Sequence, residues 1–443
     1  MSGRVAMAGW GAPRTRRARA VAASVVVLVI AAACAPKEPT FDAASVVSAS
    51  TGVGAAPMFA VAADGREAIA WVSAPDGGSD GVLHVKVGSH ETAIRDSLGP
   101  IEPHGEAPPK LAWAADGSLH ALWVVGKVVP GRRFPVSALR HAHSSDGGAT
   151  WSTPVTVTDD TLVFGSHNFH ALHTAKDGGI IAAWLDGREG QSAAFLARSD
   201  DGGTTWGKNV RISMGEACPC CRTAIASAAD GSVWVAWRTV LDGGVRDIVV
   251  ARSRDGGRTF GEAQRVHADD WVFPGCPHAG PSLMADAAGR LHIAWWTGKE
   301  GRAAVWYARS DDGERFGTPV ALSPIGTPRP VHVQLDVRGD TVLAAWDDDL
   351  GAGIRVFARF SFDAGGSFGP AQALSDSGQA ASFPVVGLSP GRATVAWSQK
   401  AAAEHQHDEA ARPDMRDPKA VMSLPEVGQA AVVVRHATLA PRR

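Results

Sequence analysis

Thiol and imidazole groups gather in three short segments of this chain: GSHNFHALH (Gly165 to His173), ACPCCR (Ala217 to Arg222) and GCPHAG (Gly275 to Gly280). Counting back ten residues from the first-turn residue of three successive units (Asp177, Asp230, Ala288) reaches His167, Cys220 and His278. Counting back twelve from the second and third reaches Cys218 and Cys276, with Cys221 and His170 adjacent to the set. Thiolate sulfur with imidazole nitrogen suits copper or zinc. His167, His170, Cys218, Cys220, Cys221, Cys276 and His278 therefore form one candidate metal set. The same cysteines equally fit one or two disulfides, for example Cys276 with Cys218, Cys220 or Cys221, stapling neighbouring units of an exported protein. The Cys-Pro-Cys-Cys spacing is not a zinc-ribbon pattern, and no second CxxC accompanies it.

Charged groups supply a second chemistry. Asp186, Arg188 and Glu189 fall in LDGRE, Arg238 follows a repeat Trp, and Asp347 opens the run DDD (Asp347 to Asp349). Arg222 and Arg329 precede first strands. Guanidinium forks suit a carboxylate or another anionic ligand, so Asp186, Arg188, Arg222, Arg329 and Asp347 are the catalytic candidates. His141 and His143, on an outer strand, read as surface residues.

The elements that position these groups follow from a repeat near 50 residues, a period that implies a propeller or solenoid. Its Trp falls at Trp71, Trp123, Trp184, Trp237, Trp295, Trp346 and Trp397, at spacings of 52, 61, 53, 58, 51 and 51. Each unit reads as a hairpin. LAWAADGSLHALW (Leu111 to Trp123) alternates apolar positions on both sides of Asp116-Gly117. A second strand pair follows, as in AAFLARSDDGGTTW (Ala193 to Trp206). Two hairpins make a four-stranded blade, and repeated blades close into a ring. No segment sustains a helical period, so almost no helix is expected. The fold class is all-β, a β-propeller of four-stranded blades with seven preferred and six the alternative.

The second hairpin carries a resemblance. SSDGGATW (Ser144 to Trp151), SDDGGTTW (Ser199 to Trp206), SRDGGRTF (Ser253 to Phe260) and SFDAGGSF (Ser361 to Phe368), with a shortened SDDGERF (Ser310 to Phe316), resemble the Asp-boxes of sialidase-like BNR-repeat proteins. The resemblance covers roughly residues 55 to 440. It implies that Asp146, Asp201, Asp255, Asp312 and Asp363 are structural and lie away from the active face. In a four-stranded blade, the first turn and the Asp-box turn share one rim. The approach to strand one and the loop after strand two share the opposite rim, where sialidases keep their active site.

A sialidase-like mechanism would need a Tyr nucleophile, and Tyr307, in the strand running into an Asp-box, is the single Tyr. True sialidase chemistry is therefore not expected. Three readings stay open: a ligand- or metal-binding propeller using the Cys/His cluster, a divergent glycoside hydrolase or lyase using Asp186, Glu189 and Asp347, and a disulfide-stapled interaction scaffold. The expected ligand at the mouth is a small molecule, a glycan or a protein.

Residues 1–33 carry five Arg and no acid, with an apolar run from Val21 to Ala33. A run of thirteen residues, apolar but for Ser24, fits a cleaved signal better than a permanent span. Ala31-Ala32-Ala33-Cys34 resembles a bacterial lipoprotein box, which implies lipidation at Cys34 and anchoring to a membrane through lipid alone. The expected organisation is a signal over 1–33, a tether over 34–54 and the propeller over 55–443. The remaining 38 basic residues stand against 45 acidic ones. A mildly acidic body argues against nucleic acid as a partner, and the chain is expected to be a monomer.

Overall fold

The computed structural model describes residues 38–74, 80–130, 135–326, 329–349, 353–400 and 430–440. Cys34, His405 and His407 lie outside the described residues. Within the unit from Glu38 to Arg443, 28 strands form seven four-stranded antiparallel sheets. Apart from strands, the described residues hold two three-residue 3-10 turns, Ser48–Ser50 and Asp242–Gly244.

Blade 1 is β2 (Ala55–Val61) to β5 (His90–Ile94), and blades 2 to 6 follow in chain order, ending with β25 (Gln372–Ala373). Blade 7 takes β26 (Ala380–Ser389), β27 (Arg392–Lys400) and β28 (Ala431–Thr438) from the end of the chain. Its outermost strand is β1 (Ser45–Val46), where Ser45 pairs with Val434 and Val46 with Val433. The ring is thus closed by a strand from within the stretch 34–54. The outer strands of blades 2 to 6 are only two residues long. Short edges leave little free backbone for another chain to pair with.

The period of two explains the repeat Trp. In β11 (Ile180–Asp186), Ile181, Ala183 and Leu185 pack toward blade 4, while Ala182 and Trp184 pack toward blade 2. Both faces of every second strand are buried in this way, so these strands are near-continuous apolar runs. Each of the seven junctions between adjacent blades holds its own apolar cluster. The seven repeat Trp residues are at most 1% exposed. Truncating one of them would cost about 3–5 kcal/mol.

The two rims form as expected. Gly117, Gly178, Gly231 and Gly289 turn the first hairpins with φ of 85°, 89°, 82° and 84°, a region that favours glycine. On the same rim Asp146 accepts bonds from the Ser144 hydroxyl (2.7 Å), the Thr150 backbone (2.8 Å) and the Thr150 hydroxyl (2.6 Å). The same pattern recurs at Asp201, Asp255 and Asp363, and in shortened form at Asp312. His141 departs from expectation. It is fully buried, its ring 5.3 Å from that of His120 and edge-on to Trp206.

Candidate functional site

The seven first strands line the central channel, and their approaches build its mouth. In blades 1, 3, 6 and 7 the register slips just before the regular part of strand one. The slip leaves Ala56, Phe169, His332 and Phe383 at equivalent positions with φ of 53°, 55°, 50° and 55°. His278, in the approach to blade 5, has φ of 48°. Left-handed backbone is costly for side chains of this size and persists where the surroundings impose it, often at functional sites.

The rings of these residues converge from separate blades. His332 and Phe383 are 4.0 Å apart, His104 and Phe169 are 5.5 Å apart, and His278 lies 6.3 Å from both His104 and Phe169. Asp347, 1% exposed, accepts from His332 Nδ1 at 2.8 Å and from the Phe383 N–H at 2.7 Å. In the neutral ring, Nδ1–H donated to the carboxylate leaves His332 Nε2 with a lone pair. His278 donates Nδ1–H to the Cys276 carbonyl at 3.2 Å, while His104 Nδ1 accepts from the Ala107 N–H at 3.2 Å, which leaves its Nε2–H as a donor. Burial, with His278 beside it, pushes His104 down to about 4.

Beneath these rings lies a buried ion pair. Arg222 meets Glu106 through NH1, and Glu106 Oε1 also accepts from the Arg222 N–H (3.2 Å) and the Gly280 N–H (2.5 Å). Arg222 NH2 donates to the Val333 carbonyl at 2.7 Å. One contact set thereby ties blades 2, 4, 5 and 6 across the axis. Burial, and then the charge of Arg222, bring Lys110 down to about 7. Burial raises Glu102, beside Asn168, to about 7.

The thiols form a separate nest on the approach to blade 4. Cys218 Sγ lies 3.7 Å from Cys220 Sγ and 3.5 Å from Cys221 Sγ, and the last two are 4.0 Å apart. All three are buried, with Cys276, Phe169 and Val240 packed against them. At these separations no disulfide joins Cys218, Cys220 and Cys221 to one another. Hydrogen bonds from Cys220 and Cys221, reinforced by Arg246 and Arg238, hold Cys218 well below its ordinary value. Burial drives Cys220 and Cys221 up.

The structure divides the sequence-derived set. Cys218, Cys220 and Cys221 are brought together, with Cys276 and His278 alongside. His167 instead turns toward Asp160 (3.0 Å) and Asp186 (3.7 Å), because it pairs with Asp186 across the first hairpin of blade 3. Arg188 already neutralises Asp186 at 2.7 Å and Asp159 at 2.7 Å, so a guanidinium stands where a cation would be needed. Glu189 pairs with Arg211. His170 lies within strand one of blade 3, in its register slip, and is fully buried. Arg329 is exposed near the approach to blade 6. Of the catalytic candidates, Arg222 and Asp347 reach the mouth. Tyr307 does not, since its hydroxyl bonds His292 Nδ1 at 2.7 Å beneath the blade 6 Asp-box.

Sequence reasoning missed His104, Glu106, His332 and Phe383. The first two were within reach: counting back ten and twelve from Asp116 lands on Glu106 and His104. His332 and Phe383 owe their placement to backbone slips that leave no compositional mark.

Residues 101–324 match the family model described as a BNR repeat-like domain. No curated protein matches the chain. Among solved structures, an ulvan lyase of a polysaccharide lyase family, bound to -[GlcA(1-4)Rha3S]-, is similar at a TM-score of 0.55 and 13% identity. That match covers 78% of this chain and 91% of the lyase. The polysaccharide lyase Uly1 gives 0.52 and 11% over 86% and 90%. A protein of unknown function from Dyadobacter fermentans gives 0.52 and 14% over 88% and 95%. Identities this low establish a shared fold.

Proposed function

The chain belongs to the sialidase-like BNR-repeat β-propeller family, and on that premise we propose that it is an exported, lipid-anchored monomer that takes a glycan at its channel mouth. The observation that carries this reading is Asp347. Its buried carboxylate holds both His332 and Phe383 in strained backbone at the rim where the blades converge.

The chemistry suits a sugar. Half-buried Phe169 and Phe383 offer flat apolar faces for sugar C–H groups, and the imidazoles of His104, His278 and His332 offer one donor and two acceptors. The His332–Asp347 pair has the form of a general base with its orienting carboxylate. Glu102, near pH 7 in its ionisation, is suited to give or take a proton. The fold is also that of the ulvan lyase and Uly1, whose ligands are polysaccharides by their names. The buried Tyr307 argues against the sialidase nucleophile and favours acid–base chemistry if bonds are broken.

The test is a panel of neutral, sialylated and uronate-containing glycans, scored for binding and for release of new chain ends. His332→Ala should weaken binding or turnover about 100-fold, and Tyr307→Phe should leave both unchanged. Retention of no glycan at millimolar concentration, or full retention by His332→Ala, would defeat the reading. For the anchor, Cys34→Ser should move the protein from the membrane to the soluble fraction.

A further inference from the structure

We propose that Cys218, Cys220 and Cys221 form a three-thiolate site for monovalent copper, separate from the glycan mouth in its ligands. Two independent observations carry it. The first is geometric. A metal–thiolate bond of about 2.3 Å sets neighbouring sulfurs about 3.8–4.0 Å apart, whether they form the face of a tetrahedron or a trigonal plane. The observed separations of 3.7, 3.5 and 4.0 Å lie at or just below that range, so one ion fits with small side-chain adjustments.

The second is electrostatic. Arg238, 1% exposed, donates only to main-chain carbonyls: Ala279 at 3.0 Å, Arg246 at 2.8 Å and Trp296 at 2.7 Å. Arg246 donates to the Phe273 carbonyl at 2.8 Å and to Cys218 Sγ at 3.1 Å. Among the described residues, neither guanidinium stands within ion-pair distance of a carboxylate. Arg246 is half-buried, but Arg238 is a buried cation, which needs a compensating anion, and the sulfurs are the groups placed to provide it. Three thiolates with two guanidiniums leave one negative charge. A single monovalent cation brings the site to neutrality, whereas a divalent one overshoots.

Softness points the same way. Sulfur-only ligation favours copper(I) and zinc over the harder first-row ions, and the charge count then favours the monovalent one. No carboxylate belongs to the trio, and the neighbouring imidazole of His278 is turned by its bond to the Cys276 carbonyl. The nest lies on the approach to blade 4, beside the mouth.

The experiment titrates reduced full-length protein anaerobically with copper(I), delivered from a coloured chelate, and separately with Zn²⁺. Expected are one copper per chain, X-ray absorption showing sulfur ligands alone, and Zn²⁺ binding at least ~100-fold weaker. Cys220→Ser with Cys221→Ser should abolish copper binding, and Arg246→Gln should weaken it about 10-fold. Less than half an equivalent bound, nitrogen or oxygen as the main ligands, tighter Zn²⁺ binding, or a Cys218–Cys221 disulfide in protein isolated without reductant would each overturn the site. If the double serine variant does not fold, the wild-type stoichiometry and absorption spectrum decide alone. Those readouts involve no sugar, so the copper site and the glycan reading fail independently.

Discussion

The two rims of this ring use similar residue types to opposite ends. On the Asp-box rim each carboxylate is satisfied within its own turn: the hydroxyl and backbone of Thr205 hold Asp201 at about 2. Every copy solves the same local problem, and nearly all of it is exposed. At the mouth, Glu106, Arg222, Asp347 and Lys110 are buried; Glu106 of blade 2 meets Arg222 of blade 4, and Asp347 holds Phe383 of the next blade. Repetition marks the rim that builds the ring. Departure from repetition marks the mouth, where burial makes each polar group dependent on a particular neighbour.

The contrast can be broken most forcefully at Arg222. Arg222→Met leaves Glu106 buried without its partner and should lower the unfolding free energy by ~3–5 kcal/mol in urea melts. Adding Glu106→Gln should restore most of that loss. A single-variant cost below ~1 kcal/mol would mean the pair is not buried as described.

Glu102 sharpens the comparison by pH. Its folded value of about 7 lies above the ordinary 4.5, so the stability it favours is full below pH 4.5 and is lost as pH rises through 7. Glu102→Gln should remove that decline and gain up to ~3 kcal/mol over the native chain at pH 8. Parallel stability profiles for the two proteins would refute the shift.

The smallest effect is expected on the opposite rim. Asp363→Ala removes bonds to Ser361 and Ser367 within a single turn and should cost ~1–2 kcal/mol. Glycan and copper binding should both be untouched. A change in either would tie the Asp-box rim to the mouth and dissolve the distinction.

Much of the architecture was legible because it rests on short-range pattern. Alternation around Trp184 or Trp237 reports two buried faces, and the Ser-x-Asp-x-Gly turns close on themselves within five residues. Seven Trp-bearing hairpins became seven blades. The site was legible only in outline. Equal offsets correctly located the thiols, yet failed for His167, whose ring faces blade 2 and accepts the company of Asp160 and Asp186.

The residue string by itself determined the strands, the turns and a preference for seven blades over six, because each depends on neighbours a few positions away. The tertiary structure alone decided that β1 closes blade 7, that Arg222 crosses the axis to Glu106, and that one-residue slips swing His332 and Phe383 over the channel. Those outcomes depend on ring closure, which joins residues more than a hundred positions apart and lets burial, rather than local pattern, choose their partners.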